Sequence, residues 1–213
     1  AGILGVDFVP DLLRLAVTHS SWGYEHGGHG DNERLEFLGD SVLGLAVAAK
    51  LYRDHADLDE GELSRRHHAL VSTVSLAEIG REIGLGRYLR LGRSEQLSHG
   101  REKDSLLADA VEALIGAAYL SVGAVEADAL VLRLIGDRFQ YAERLGARLD
   151  PKTSLLEIIE ALGADAPVYT VTGAGPDHDR VYTSICRVDR TGELLAETSG
   201  TGRSKKQAEL ASA

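Results

Sequence analysis

The chain has one cysteine, no methionine, one tryptophan and four prolines in 213 residues. A single thiol, Cys186, excludes an internal disulfide framework and a cysteine-rich zinc site. No uninterrupted apolar run approaches a length of about 18 residues, the minimum for spanning a bilayer. The longest are Val42–Ala49 and Ala110–Leu120, and Glu112 interrupts the second. The N-terminal residues lack the basic-then-apolar pattern of a secretory signal. Together with the lone thiol, this sets the expectation of a reducing, cytoplasmic location and no membrane. Positive charge is also in deficit: 23 Lys and Arg against 33 Asp and Glu leave −10. The deficit is spread along the chain, with 16 basic and 23 acidic residues in 1–149 (net −7) and 7 and 10 in 150–213 (net −3). A polyanionic partner would therefore be met by local basic patches and bound cations, not by a global field. Carboxylates that ligate cations also count as formal charge which the ions cancel.

What is present divides the chain into two textures. Hydrophobic residues at 44% and charged residues at 26% suit an ordinary globular protein, long enough to bury a core. As far as about Leu145 the apolar spacing is helical, and Pro10 is the only proline in the first 150 residues. The spacing predicts helices over 11–19, 31–53, 60–70, 73–84, 102–121 and 125–144, with glycine-rich breaks at 23–30 and around 84–100. Residues 146–152 read as a linker ending in Pro151 and Lys152. A helix at about 153–162 follows, then strand-like runs 168–172, 181–188 and 193–198, rich in Val, Tyr, Thr and Ile, then a helix from Arg203. The expectation is an all-α domain over 1–145, followed by an α+β (α-β-β-β-α) domain over 153–213.

The chemistry concentrates in two acidic helices. In Asn32–Ser41, Glu33, Glu36 and Asp40 fall at i, i+3 and i+7, on one helical stripe. Like charges stacked this way repel unless cations or solvent separate them. Leu35, Phe37, Leu38, Val42 and Leu43 leave little polar surface around them, which points to a cleft. In Leu106–Leu120 the only charged residues are Asp109 and Glu112, at i and i+3 on a helix otherwise apolar or small. Such a helix is normally buried, and ionised acids are rarely buried unpaired. Two acidic pairs on two buried helices make a cluster suited to hard divalent cations. With no ligand-spaced Cys or His beside the acids, Mg²⁺ or Mn²⁺ is favoured over zinc. Such a site can activate water and stabilise the departing oxygen of a phosphodiester. Glu33 or Glu60 taken alone reads as a solvated surface acid. His19, His26, His29, His55, His67, His68 and His99 lack metal spacing, and His178-Asp179 lies in the strand-rich region, so all eight histidines read as surface or turn residues.

Asn32-Glu-Arg-Leu-Glu-Phe-Leu-Gly-Asp-Ser41 resembles the signature of the ribonuclease III family. Thr18-His-Ser-Ser21, Glu60-Gly-Glu-Leu-Ser64 and Ser105–Gly116 agree with it, in the family's order. The resemblance covers nearly the whole chain. It implies a dimeric all-α nuclease domain in which each subunit cuts one strand of double-stranded RNA, leaving 5′-phosphate and 3′-hydroxyl ends. It further implies metal-site roles for Glu36, Asp40, Asp109 and Glu112, accessory roles for Glu33 and Glu60, and a place in ribosomal RNA precursor processing and RNA turnover. Phe37 resembles the family's dimer-contact aromatic, although periodicity alone fits an ordinary core phenylalanine equally well.

The second region is similar to a double-stranded-RNA-binding domain. Pro151–Glu157 resembles its first helix, Gly175–His178 with Tyr182 the loop between its first two strands, and Gly202–Glu209 the start of its second helix. Arg203, Ser204, Lys205 and Lys206 cluster where a helix N-terminus already favours phosphate. By composition alone Lys205-Lys206 is a solvated helix start. The resemblance implies RNA contacts from Thr153, Glu157, His178 and that cluster, directed at the shape of A-form RNA. Two readings of other classes stay open: a double-stranded-RNA-binding regulator that does not cleave, and a helical enzyme using an acidic metal cluster on a diphosphate.

Overall fold

The computed structural model describes residues 4–28, 30–142, 151–176 and 180–213. The chain divides into two compact units, Ala1–Leu145 and Gly146–Ala213. The described residues of the first unit form eight α-helices: α1 (Pro10–Ala16), α2 (Ser20–Glu25), α3 (Glu33–Asp54), α4 (Glu60–Val71), α5 (Thr73–Glu82), α6 (Arg93–Leu97), α7 (Asp104–Val122) and α8 (Ala124–Ile135). Their starts carry local signals. Asp59 caps α4 by accepting from the Glu62 N–H at 2.9 Å, and Ser72 caps α5 by accepting from Ser75 at 3.3 Å. The expected helix over 11–19 ends at Ala16, and α2 occupies part of the expected glycine-rich break. The helix expected over 125–144 gives way at Gly136, whose φ is +53°, to a 3₁₀ segment, Gly136–Tyr141. Tertiary contacts and backbone sterics shift such ends more readily than apolar periodicity reveals.

Helix α7 is the axis of this unit. It packs against α1, α3, α5 and α8, and eleven of its residues are buried. By length and composition it could cross a membrane, a property that a search for unbroken apolar runs misses because Asp109 and Glu112 interrupt it. Its burial beneath four helices accounts for its apolarity. The main core joins Leu35, Leu43, Val47 and Leu51 of α3 to Leu107, Leu114 and Ile115 of α7, with Leu70, Leu76 and Ile79 beside them. Between α3 and α7 the contact is backbone on backbone. A Cβ at Gly39 would fall on the Glu112 carbonyl, and one at Gly116 would fall on the Leu35 carbonyl. The connector from α5 to α7 is tied down by Arg101, which donates to the carbonyls of Gly86 and Leu89, both at 2.8 Å. A parallel bridge between Thr18 and Arg90 fixes the same connector to the α1–α2 junction.

In the second unit, α9 (Pro151–Ala161), β1 (Val168–Ala174), β2 (Val181–Arg190), β3 (Glu193–Gly202) and α10 (Lys205–Ser212) give the α-β-β-β-α order. Helix α9 begins at Pro151, not at 153, so the last two residues of the expected linker are helical; Pro at a first helical position costs no hydrogen bond. The antiparallel sheet has order β1-β2-β3, and α10 packs on it through Ala208, Ser212 and the buried β2 residues Ser184, Cys186 and Val188. The β2–β3 hairpin turns on Thr191-Gly192, both at positive φ, the geometry of a type I′ loop.

Replacing Gly39 by Ala should destabilise the chain by about 3 kcal/mol through overpacking, whereas Ser72→Ala should cost about 1 kcal/mol for the lost cap. Denaturant unfolding of both variants checks the ranking, and an equal cost would contradict the backbone contact at Gly39.

Candidate functional site

The Gly39–Gly116 crossing lays the acidic stripe of α3 against that of α7. Glu36, Asp109 and Glu112 are half-buried, and one carboxylate oxygen from each lies within 4.8 Å of the other two. Asp40, one turn beyond Glu36, is exposed at the rim, and its charge bears on both Glu36 and Glu112. Glu33 opens α3, is exposed, and reaches the cluster only through its charge on Glu36. Glu60 opens α4, where its carboxylate accepts from Ser64 Oγ at 2.8 Å; it is not part of the three-residue group. The structure thus brings together three of the four acids expected at a metal site, keeps the fourth at the edge, and leaves Glu60 apart.

The electrostatics of the group are those of acids forced together. Burial, then the charges of Asp40, Glu36 and Asp109, push the Glu112 carboxyl up to about 8. Burial, then Asp109, Glu33 and Asp40, raise Glu36. Burial also raises Asp109, and His19 opposes that shift. Every charge acting on Glu112 and Glu36 belongs to another carboxylate. All-oxygen donors, close spacing and excess negative charge fit a hard divalent cation such as Mg²⁺.

Sequence reasoning missed His19. Its Nδ1 accepts from the Ser21 N–H at 3.2 Å, which caps α2, and its ring is close enough to Asp109 and Glu95 to act on both. The signal available was its position one residue after Thr18, whose carbonyl accepts from the Asn32 N–H at 2.9 Å, at the entrance to α3.

Phe37 is 79% exposed, which excludes a core role. It begins a stripe along the outside of α3 that continues through Ser41, Leu45, Ala48 and Tyr52, with Leu45 and Tyr52 more than 70% exposed. Beside it Val42, Leu45, Tyr119 and Val125 line a cleft of about 340 Å³.

In the second unit, Ser204 caps α10, accepting from the Gln207 N–H at 3.2 Å. Arg203, Lys205 and Lys206 surround that cap, all exposed. Thr153 sits half-buried in the first turn of α9. Glu157 lies on α9, but its side chain is outside the described residues, as is His178.

Comparison with known proteins agrees with this geometry. Residues 10–138 match the model of a "Ribonuclease-III-like" family, and residues 151–213 that of a "Double-stranded RNA binding motif". The chain belongs to the ribonuclease III family. Ribonuclease 3 of Leifsonia xyli subsp. xyli is 58% identical over 210 residues, covering 99% of this chain and 87% of that protein. The Thermobifida fusca protein of the same name is 51% identical over 97% of this chain and 84% of its own length. Among solved structures, the nuclease domain of ribonuclease III from Campylobacter jejuni aligns with a TM-score of 0.59 at 41% identity, over 62% of this chain and 90% of that one. The family is one of divalent-metal nucleases, and in this chain the helical unit precedes the unit that matches the double-stranded RNA binding motif.

The raised carboxyl has a thermodynamic consequence. An acid whose proton is held more tightly in the folded state contributes full stability below its ordinary value of 4.5, and that contribution is lost as pH rises through about 8. Metal-free protein should therefore lose stability across this interval. Glu112→Gln should unfold at a temperature higher by about 3 °C than the parent at pH 8.5, with the two converging near pH 4.5. Thermal scans in EDTA check this, and a gap independent of pH would refute it.

Proposed function

We propose that this chain cleaves double-stranded RNA by hydrolysis of phosphodiester bonds, with divalent cations held by Glu36, Asp40, Asp109 and Glu112. The observation that carries the reading is the convergence of Glu36, Asp109 and Glu112 at the α3–α7 crossing, in a chain that also has a double-stranded RNA binding motif. Mg²⁺ is the cation proposed, with Mn²⁺ able to substitute. When bound, the cation supplies Lewis acidity to the scissile phosphate and to the attacking water. The chain's own residues do the rest. Glu36, Asp109 and Glu112 present oxygens already gathered by the fold, and their raised proton affinity means that cation binding displaces protons. Asp40, exposed at the rim, stands where substrate and solvent enter, and Glu33 and Glu60 add negative charge along the approach. The products would be a 5′-phosphate and a 3′-hydroxyl.

Thr153, Glu157, His178, Arg203, Ser204, Lys205 and Lys206 are proposed to hold the duplex, the last four at the N-terminus of α10, where backbone N–H groups and side-chain cations converge. The division of labour is proposed as 1–145 catalytic and the unit from Pro151, where α9 begins, to 213 RNA-binding. The apolar stripe begun by Phe37 is proposed as the homodimer face of the catalytic unit, because side chains this apolar and this exposed mark association surfaces. The proposed setting is cytoplasmic processing of ribosomal RNA precursors and turnover of duplex transcripts.

The deciding experiment incubates a labelled perfect duplex with the chain in Mg²⁺, in Mn²⁺ and in EDTA, beside Glu112→Gln. Metal-dependent fragments are expected from the parent. The variant should cut more slowly by about 10³-fold, the order of several kcal/mol of transition-state stabilisation, while binding the duplex equally well. Binding without cleavage by the parent in both metals would replace the nuclease with a duplex-binding regulator. Separately, Phe37→Asp should shift the chain from dimer to monomer in light scattering without lowering its unfolding temperature when monomeric. A dimer unmoved by Phe37→Asp would remove α3 from the interface.

A further inference from the structure

A separate cavity, of about 460 Å³, lies between α1 and the Thr18–Arg90 bridge. That volume is in the range of small-molecule sites, about 300–1,000 Å³. Its charged lining consists of Arg14, Arg90 and Asp11, and the remainder is Thr18, Trp22 and two leucines. Arg90 is held from two sides. Its guanidinium carbon stands 3.5 Å from the centroid of the Trp22 ring, and Nη1 donates to Thr18 Oγ1 at 3.4 Å. Both supports are themselves anchored. The Trp22 ring stacks on His26 at 4.0 Å and 10°, and Thr18, 2% exposed, donates its hydroxyl proton to the Arg14 carbonyl at 2.7 Å. No carboxylate pairs with Arg90 among the described residues. Arg14 has one partner, Asp11, at 3.7 Å, and their side chains are 65% and 88% exposed, an arrangement that contributes little and yields to a competing anion.

A guanidinium fixed over an aromatic ring, with donors to spare and a second arginine beside it, is pre-organised for the oxygens of a phosphate. Two backbone hydrogen bonds tie the cavity's Thr18 to the start of α3: the Thr18 carbonyl accepts from Asn32, and the Asn32 carbonyl accepts from Glu36 at 2.8 Å. We propose that this cavity is a phosphate site, in which Arg14 and Arg90 hold a phosphate group of either a free nucleotide or the backbone of bound RNA. The RNA form rests on the function proposed above; the nucleotide form does not.

Trp22 is the only tryptophan in the chain, so its emission reports on this cavity directly. The full chain in EDTA is titrated with inorganic phosphate, with adenosine 5′-monophosphate, with chloride at matched ionic strength, and with an RNA duplex lacking terminal phosphates. A saturable change in Trp22 emission is expected, absent with chloride. Arg14→Gln and Arg90→Gln should each weaken it by about tenfold, the effect of losing one charge-assisted hydrogen-bonding partner, and Asp11→Asn should strengthen it. Response to phosphate and the monophosphate assigns the site to free nucleotides, and response to the duplex alone assigns it to the RNA backbone. Since Arg90→Gln also removes the cover of Trp22, Arg14→Gln, an exposed change, decides the matter, with its folding verified by thermal unfolding. No saturable response to any probe, or a response unaltered in Arg14→Gln, overturns the proposal. Cleavage of the duplex in Mg²⁺ is measured on the same preparation: absent cleavage with an intact phosphate response would remove the nuclease and leave this site standing.

Discussion

The distance between α3 and α7 depends on two residues without side chains. Helices packed through ordinary side chains keep their axes about 8–10 Å apart. Gly39 and Gly116 let the two backbones touch, Gly39 against the Glu112 carbonyl and Gly116 against that of Leu35. Residues on either side of the crossing are then brought within ligand distance of each other. Glu36 and Asp40 flank Gly39 on one helix, and Asp109 and Glu112 precede Gly116 by two turns and one turn on the other. A side chain at either glycine would meet the facing carbonyl and force the helices apart.

That contact also explains why the site is electrostatically unsatisfied in the protein alone. Burial raises the proton affinity of Glu36, Asp109 and Glu112, and repulsion from neighbouring carboxylates adds to it at Glu36 and Glu112. The apolar core beneath the cluster, with Leu107, Leu114 and Ile115 on α7, is the source of the burial that disfavours the charged forms. The cost is concentrated where a doubly charged ion can offset it. The overall charge of −10 is thus compatible with a nucleic-acid partner. The acids belong partly to a cation site, and the exposed cations Arg203, Lys205 and Lys206 are concentrated around one helix cap.

The second unit repeats the use of glycine at close approach. Gly200 and Gly202 of β3 leave no room for a Cβ beside Ala211 and Gln207 of α10. This seats a helix of eight residues firmly on the sheet and presents its N-terminus outward. The type I′ turn at Thr191-Gly192 and a one-residue β-bulge between Val188 and Asp189 together set the β2–β3 register that brings Gly200 opposite Ser184, whose hydroxyl accepts from Ser212.

Much of this was legible in the residues themselves. The acidic stripe at 33, 36 and 40, the isolated pair at 109 and 112 in an apolar helix, and the change of texture near Leu145 follow from periodicities of 3.6 and 2, which are local properties of a chain. The order of the longer helices and of the strands followed in the same way, while the short helices α2 and α6 went unread in and beside the expected glycine-rich breaks; the family signature added the grouping of Glu36, Asp40, Asp109 and Glu112. Where helices stop was less legible, as the ends at Ala16 and Ile135 demonstrate, because packing and positive φ intervene. Four things belonged to the tertiary structure alone: that Asp40 is at the rim while Glu36 is inside, that Phe37 faces solvent, that His19 acts on Asp109, and that Arg14, Trp22 and Arg90 enclose a cavity. Each depends on residues far apart in sequence. No local pattern encodes a distance between α1 and the connector before α7, because it is set by how the whole core closes.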